Sequence, residues 1–157
     1  MLCRYGDQHK KEKNVKEFEI QSEFFKIVHG IKFLFKYPEA RWIHAIPNGA
    51  RVSIGQAVKL KRQGLVSGIA DVFVPVPVRN HPPKGNNIDP TNYHGLYIEF
   101  KAERGKQSQA QFEFQNHCHF YDYQYVICRD AESAVKAVST YLEPRHFRPK
   151  HKIYSVK

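Results

Sequence analysis

The chain has 157 residues, of which 41% are hydrophobic, 13% aromatic and 25% charged. This is a globular profile that excludes a disordered or fibrous polymer, and no apolar run approaches the roughly 18 residues of a membrane span. A net charge of +10 favours polyanionic partners, and the N-terminal Met1-Leu2-Cys3-Arg4-Tyr5-Gly6-Asp7 has no signal-peptide core, so a cytoplasmic protein is expected.

The expected organisation is one domain over 15–143, with a flexible basic arm at 1–14 and a basic tail at 144–157. A chain of this length buries roughly 68–70% of its unfolded surface. Apolar residues at Ile20, Phe24, Ile27, Val28, Ile31, Leu34 and Phe35 predict one long helix from Lys16 to Tyr37, stopped by Pro38 and weakened at Gly30. Arg41 to Ile46 reads as a short strand ending at the Pro47-Asn48-Gly49 turn. A second helix is predicted from Ser53 to Gln63, with Gly64 as its stop. A strand carrying Asp71 follows from Gly68 towards Val78, and Pro75 and Pro77 send its far end to an edge or out of the sheet. Arg79 to His94 reads as a loop of about sixteen residues, long enough to suggest a function. Gly95 to Lys101 is a second strand, Ser108 to Tyr121 a helix and Gln124 to Cys128 a further strand. Asp130 caps a last helix from Ala131 to Leu142, with Ala134, Val135, Val138 and Leu142 as its stripe. This order predicts an α/β fold with a mixed central sheet flanked by helices.

The three cysteines, Cys3, Cys118 and Cys128, lack CxxC spacing and are expected as reduced thiols. His117-Cys118-His119 has no second ligand pair at finger spacing, so a structural metal there is not expected.

The chemistry concentrates at Glu99-Phe100-Lys101. Strand alternation points Glu99 and Lys101 to one face and Ile98 and Phe100 to the other. If Asp71 lies on the neighbouring strand, two carboxylates and an ammonium converge. That set suits a hard cation such as Mg²⁺, which binds through one or two carboxylates plus substrate phosphate and water. The competing reading is a surface ion pair on a half-exposed strand, worth about 0–1 kcal/mol.

In order and spacing, His44-Ala45-Ile46-Pro47-Asn48-Gly49, Lys59-Leu60-Lys61-Arg62-Gln63-Gly64, Ser67-Gly68-Ile69-Ala70-Asp71-Val72, Leu96 to Lys101, and Gly105-Lys106-Gln107-Ser108 with Gln111 resemble the VRR-NUC family of the PD-(D/E)XK nucleases, in its small stand-alone bacterial or phage type. The resemblance runs from about Glu17 to Leu142. It implies a restriction-endonuclease-like core and a Mg²⁺- or Mn²⁺-dependent endonuclease acting on DNA, with no nucleotide cofactor. It also implies Asp71, Glu99 and Phe100 as the metal-holding residues, Lys101 as the catalytic lysine and Gln111 in support. A first-helix glutamate completes the family's site; Glu17, four residues before Gln21, is the choice here, with Glu19 and Glu23 as alternatives. Small members of the family look like homodimers that cut branched DNA such as Holliday junctions, the other readings being flap, nicked or single-stranded substrates, or a module that binds without cutting. The family's usual proline before the aspartate is Ala70 here, a backbone-shaping position that supplies no ligand.

Asn48 and Arg51 beside Gly49 could approach phosphates closely, or form a plain turn. Lys59, Lys61, Arg62, Arg104, Lys106 and Ser108 are further candidate DNA contacts, against the alternative of solvated surface groups. Trp42 and the aromatics Phe112, Phe114, Phe120, Tyr121, Tyr123 and Tyr125 read as packing rather than base-stacking residues.

Overall fold

The computed structural model describes residues 16–47, 54–79 and 92–143. The expectations for the arm at 1–14, the tail at 144–157, Asn48, Arg51 and the middle of the 79–94 loop lie outside these residues.

Among the described residues, five α-helices and six strands follow one another as α1 (Glu17–Val28), α2 (Ile31–Lys36), β1 (His44–Ala45), α3 (Ile54–Arg62), β2 (Val72–Val74), β3 (Val78–Arg79), β4 (Asn92–Tyr93), β5 (Leu96–Phe100), α4 (Gln109–Phe120), β6 (Gln124–Cys128) and α5 (Ala131–Leu142). The central sheet has the order β1-β2-β5-β6. Its first three strands are antiparallel and β5 and β6 are parallel, so the sheet is mixed. The β5–β6 crossover passes through α4, as a parallel pair requires.

The long first helix is two helices. Gly30 takes an extended conformation (φ −71°, ψ 148°) and caps α2, its carbonyl accepting from the Phe33 and Leu34 amides. Glycine's handicap of about 1 kcal/mol in a helix makes this the weak point, and the bend lets Tyr37 and part of Phe33 pack against the core. The expected strand from Arg41 is also corrected. Pro38–Trp42 forms a 3₁₀ helix, with proline at its first turn where the missing N–H costs nothing, and only His44 and Ala45 pair with β2. The strand through Asp71 ends at Val74. Past Pro75 and Pro77 the chain leaves the sheet and β3 pairs with β4 as a separate two-stranded ribbon, so the ends of the long loop are strands.

The expected ends of α3, α4, β6 and α5 agree with the structure to within about a residue. Gly64 (φ +94°) closes α3 in a Schellman-type turn, with the Leu65 amide donating to the Leu60 carbonyl. Asp130 caps α5 through the Ser133 amide.

Residues of even parity on β2 and β5, Val72, Val74, Leu96, Ile98 and Phe100, enter one apolar core with Phe24 and Val28 of α1 and Ala134 and Val138 of α5. A smaller cluster, Ala70, Cys118 and Tyr125 with Tyr97, Phe114 and Tyr123, lies between the other face and α4. Phe114, Tyr123 and Tyr125 are therefore packing residues as expected. Phe112, Phe120, Tyr121 and Trp42 are exposed instead, because the α4 positions among them turn away from the sheet. Cys118 and Cys128 are buried free thiols.

Candidate functional site

The odd-parity face of β5 carries the charged groups. Glu99 and Lys101 are 1% and 7% exposed and are joined at 2.8 Å between Lys101 Nζ and Glu99 Oε1. The surface ion pair is thereby excluded. Phe100 sends its ring into the core against Phe24, at 5.6 Å between centroids, so any part it takes at the site is by its main chain.

Asp71 stands one residue before β2. Its Oδ2 accepts from the Phe100 amide at 2.7 Å, extending the β2–β5 ladder by a side chain, while its carbonyl accepts from the Ile46 amide. The turn that delivers it depends on Gly68. At φ +88°, with a Cβ position 2.7 Å from the Ala110 backbone, this residue cannot carry a side chain without displacing α4.

Two further groups close on the pair. Gln111 donates from Nε2 to Glu99 Oε1, while its Oε1 accepts from the Ser108 amide and the Ser108 hydroxyl accepts from the Gln111 amide. One capping box thus both starts α4 and aims Gln111 at the carboxylate. Gln111 supports the site by bonding Glu99 directly.

Of the three first-helix glutamates, Glu17 is the one brought in. Its Oε1 accepts from the Ala102 amide at 3.1 Å, and its charge acts on both Asp71 and Glu99. Glu19 instead accepts from the Lys16 amide in the α1 cap.

Three residues not singled out for the site support it. The Tyr125 hydroxyl reaches Glu99 Oε2 at 3.5 Å and accepts from Gln107 Nε2 at 3.5 Å. Arg129 Nη1 donates to the carbonyls of Ala102, Glu103 and Gly105 and so holds the turn after Lys101. The Tyr125 signal was hidden because its face depends on β6 lying beside β5, in the register Tyr97 to Tyr125, and chain order does not state which strands are neighbours.

The electrostatics are lopsided. Burial raises the Glu99 carboxyl to about 7, the Lys101 bond opposing and the Asp71 and Glu17 charges assisting. Asp71 is also raised, first by burial, against the Phe100 hydrogen bond and Lys101. The Glu17 and Asp71 charges thus both act on Glu99, which has the one ammonium of Lys101 as its ion-pair partner, so the carboxylates outnumber the cation. Two close oxygen-bearing carboxylates are the donor set Mg²⁺ or Mn²⁺ takes; no group of three His, Cys, Asp or Glu among the described residues forms a protein-only metal cage. The residues fit a cation whose remaining ligands are water and substrate.

Lys59, Lys61 and Arg62 are exposed in the last turn of α3. Arg104 and Lys106 are exposed on the turn that Arg129 holds, and the exposed Ser108 is occupied in capping α4.

No family model matches the chain, and no curated protein matches it. Among solved structures it is similar to one titled "VRR_NUC domain protein", with a TM-score of 0.60 and 24% identity over 84% of this chain and 92% of that one. The likeness shows the fold: a restriction-endonuclease-like α/β architecture with a mixed central sheet.

Proposed function

We propose that the chain is a metal-dependent endodeoxyribonuclease that hydrolyses phosphodiester bonds in branched DNA, acting as a homodimer. The observation that carries this reading is the buried Glu99–Lys101 pair beside Asp71, which holds more negative charge than its own residues offset. Burying charge costs several kcal/mol per ion, a cost with a purpose where a cation and a phosphate complete the site. The similar solved structure bears a nuclease domain's title, and the sequence resemblance carries the same reading.

Asp71, Glu99 and the main chain of Phe100 would hold Mg²⁺ or Mn²⁺, with Glu17 at the edge. A cation bound there supplies a Lewis acid and a more acidic water. Gln111 and Tyr125 fix the orientation of Glu99 from two sides. Lys101 presents its ammonium to the negative charge that develops on the phosphate oxygens, inside a site where such charge is weakly screened. Lys59, Lys61, Arg62, Arg104 and Lys106 grip the DNA backbone without reading sequence. A two-fold pair of such sites suits the paired incisions that a four-way junction needs.

The test is cleavage of labelled four-way junction, flap and linear duplex DNA with Mg²⁺, Mn²⁺ or EDTA, comparing the wild type with Asp71→Ala. Metal-dependent, symmetric junction cuts that vanish in the variant are expected. Cutting confined to flaps or single strands would remove the junction assignment, and tight binding with no cleavage under either metal would remove the nuclease.

A further inference from the structure

Far from the carboxylates, the bend between α1 and α2 opens an apolar groove of about 490 Å³. Val28 ends α1 eleven residues beyond Glu17, about 16 Å along the helix axis, so an occupant here leaves the site free. Ile27, Ile31 and Phe33 line the groove. Ile31 is 87% exposed, and the adjoining Phe35 is 91% exposed. Ile31 and Phe35 stand four residues apart on α2, and Ile27 meets Ile31 across the bend in the same groove, so their exposure forms one patch rather than scattered single residues, and such patches mark interaction sites.

The rim decides what fits. Lys26, Lys32 and Lys36 line the same groove, and Lys26 and Lys32 carry no ion pair among the described residues. The Glu143 carboxylate, from the end of α5, already shows the chemistry the rim accepts: it takes a bond from Lys36 Nζ at 3.5 Å and from the Tyr37 hydroxyl at 3.3 Å. A second copy docked two-fold would set lysine against lysine. The tail from Pro144 to Lys157 has no Asp or Glu and five Lys or Arg, so its charge opposes the rim. Duplex DNA offers phosphates but keeps its base faces stacked inside and so cannot cover Ile31 and Phe35, and the six residues of α2 are too few for a membrane-lying helix.

We propose that this groove docks a short acidic segment of a partner protein, its bulky aliphatic or aromatic side chains on Ile27, Ile31 and Phe33 and its carboxylates on Lys26 and Lys32. Such docking would bring the chain to a partner without obstructing Asp71 or Glu99, and the proposal does not depend on the nuclease reading.

The test pans a random short-peptide display library on the wild-type chain, then measures the enriched synthetic peptide by fluorescence anisotropy against wild type, Ile31→Asp and the double variant Lys26→Glu/Lys32→Glu. All three positions are exposed, so the variants keep the wild-type melting temperature. The expected peptides set several Asp or Glu around one or two Leu, Ile or Phe, and each variant weakens binding by about tenfold or more. Replacing the peptide's acids with lysine should restore binding to the double variant. Enrichment of basic or uncharged peptides, no enrichment, or equal binding by all three proteins would overturn the proposal. So would a wild-type dimer that Ile31→Asp makes monomeric, which gives the face to a second copy, or binding to phosphatidylserine vesicles that the same substitution abolishes, which gives it to lipid.

Discussion

On the face turned to α1 and α5, the central sheet buries Val72, Val74, Leu96, Ile98 and Phe100; on the face turned to α4 it buries Glu99 of β5, Lys101 just past that strand and Tyr125 of β6. The alternation is that of one strand, β5, yet the two faces do opposite work. The first removes apolar area from water and holds the fold together. The second spends stability on desolvated charge, where the buried Glu99–Lys101 pair lies under the charges of Asp71 and Glu17. A protein can keep such a face because the other one is dry and continuous.

The contrast is most severely strained by truncating the apolar side. Phe24, fully buried against Phe100, should lose about 3–5 kcal/mol as Phe24→Ala, read by urea unfolding. A loss below about 1 kcal/mol would mean this face is not the stabilising one. On the polar side, Lys101→Met should lower DNA cleavage by on the order of 10²–10³-fold, while gel-shift affinity and melting temperature stay near wild type. A melting temperature that collapses with the activity would make Lys101 a structural residue.

Tyr125→Phe removes one hydroxyl from behind Glu99. It should weaken Mn²⁺ binding about tenfold in a calorimetric titration, with a stability change of only about 1 kcal/mol. Unchanged Mn²⁺ affinity would leave Tyr125 as packing alone.

A further effect is on pH dependence. Glu99 is raised from 4.5 to about 7 in the fold, so the folded state holds this proton more tightly than the unfolded chain does. Its contribution to metal-free stability is complete below about pH 4.5, declines as the pH rises towards 7, and stays lost above that; Asp71 acts in the same direction. Glu99→Gln should flatten that decline in urea midpoints measured across the range, and an equally steep profile in the variant would contradict the assignment.

How much of this was legible in the sequence follows the same division. Local signals were sufficient where a side chain caps or alternates: Ser108 started α4, Asp130 started α5, and period-two alternation set Glu99 and Lys101 together. The break at Gly30 was masked because Ile27, Ile31 and Phe35 continue a helical period straight across it while facing solvent. Pro38–Trp42 hid its 3₁₀ turn behind residues that also suit a strand. Glu17 could be separated from Glu19 and Glu23 only once the turn at Ala102 met α1, and Tyr125 only once β6 lay beside β5. These are long-range contacts, with separations that no local pattern encodes.

The central claim is that the excess negative charge on the α4 face is a divalent-cation site. Thermal unfolding with and without Mg²⁺ or Mn²⁺, on the wild type and on Asp71→Ala, tests it without requiring any substrate. The account predicts that metal raises the wild-type midpoint with the logarithm of its concentration once that exceeds the dissociation constant and leaves the variant unmoved. An equal rise in both proteins, or none in either, would contradict it.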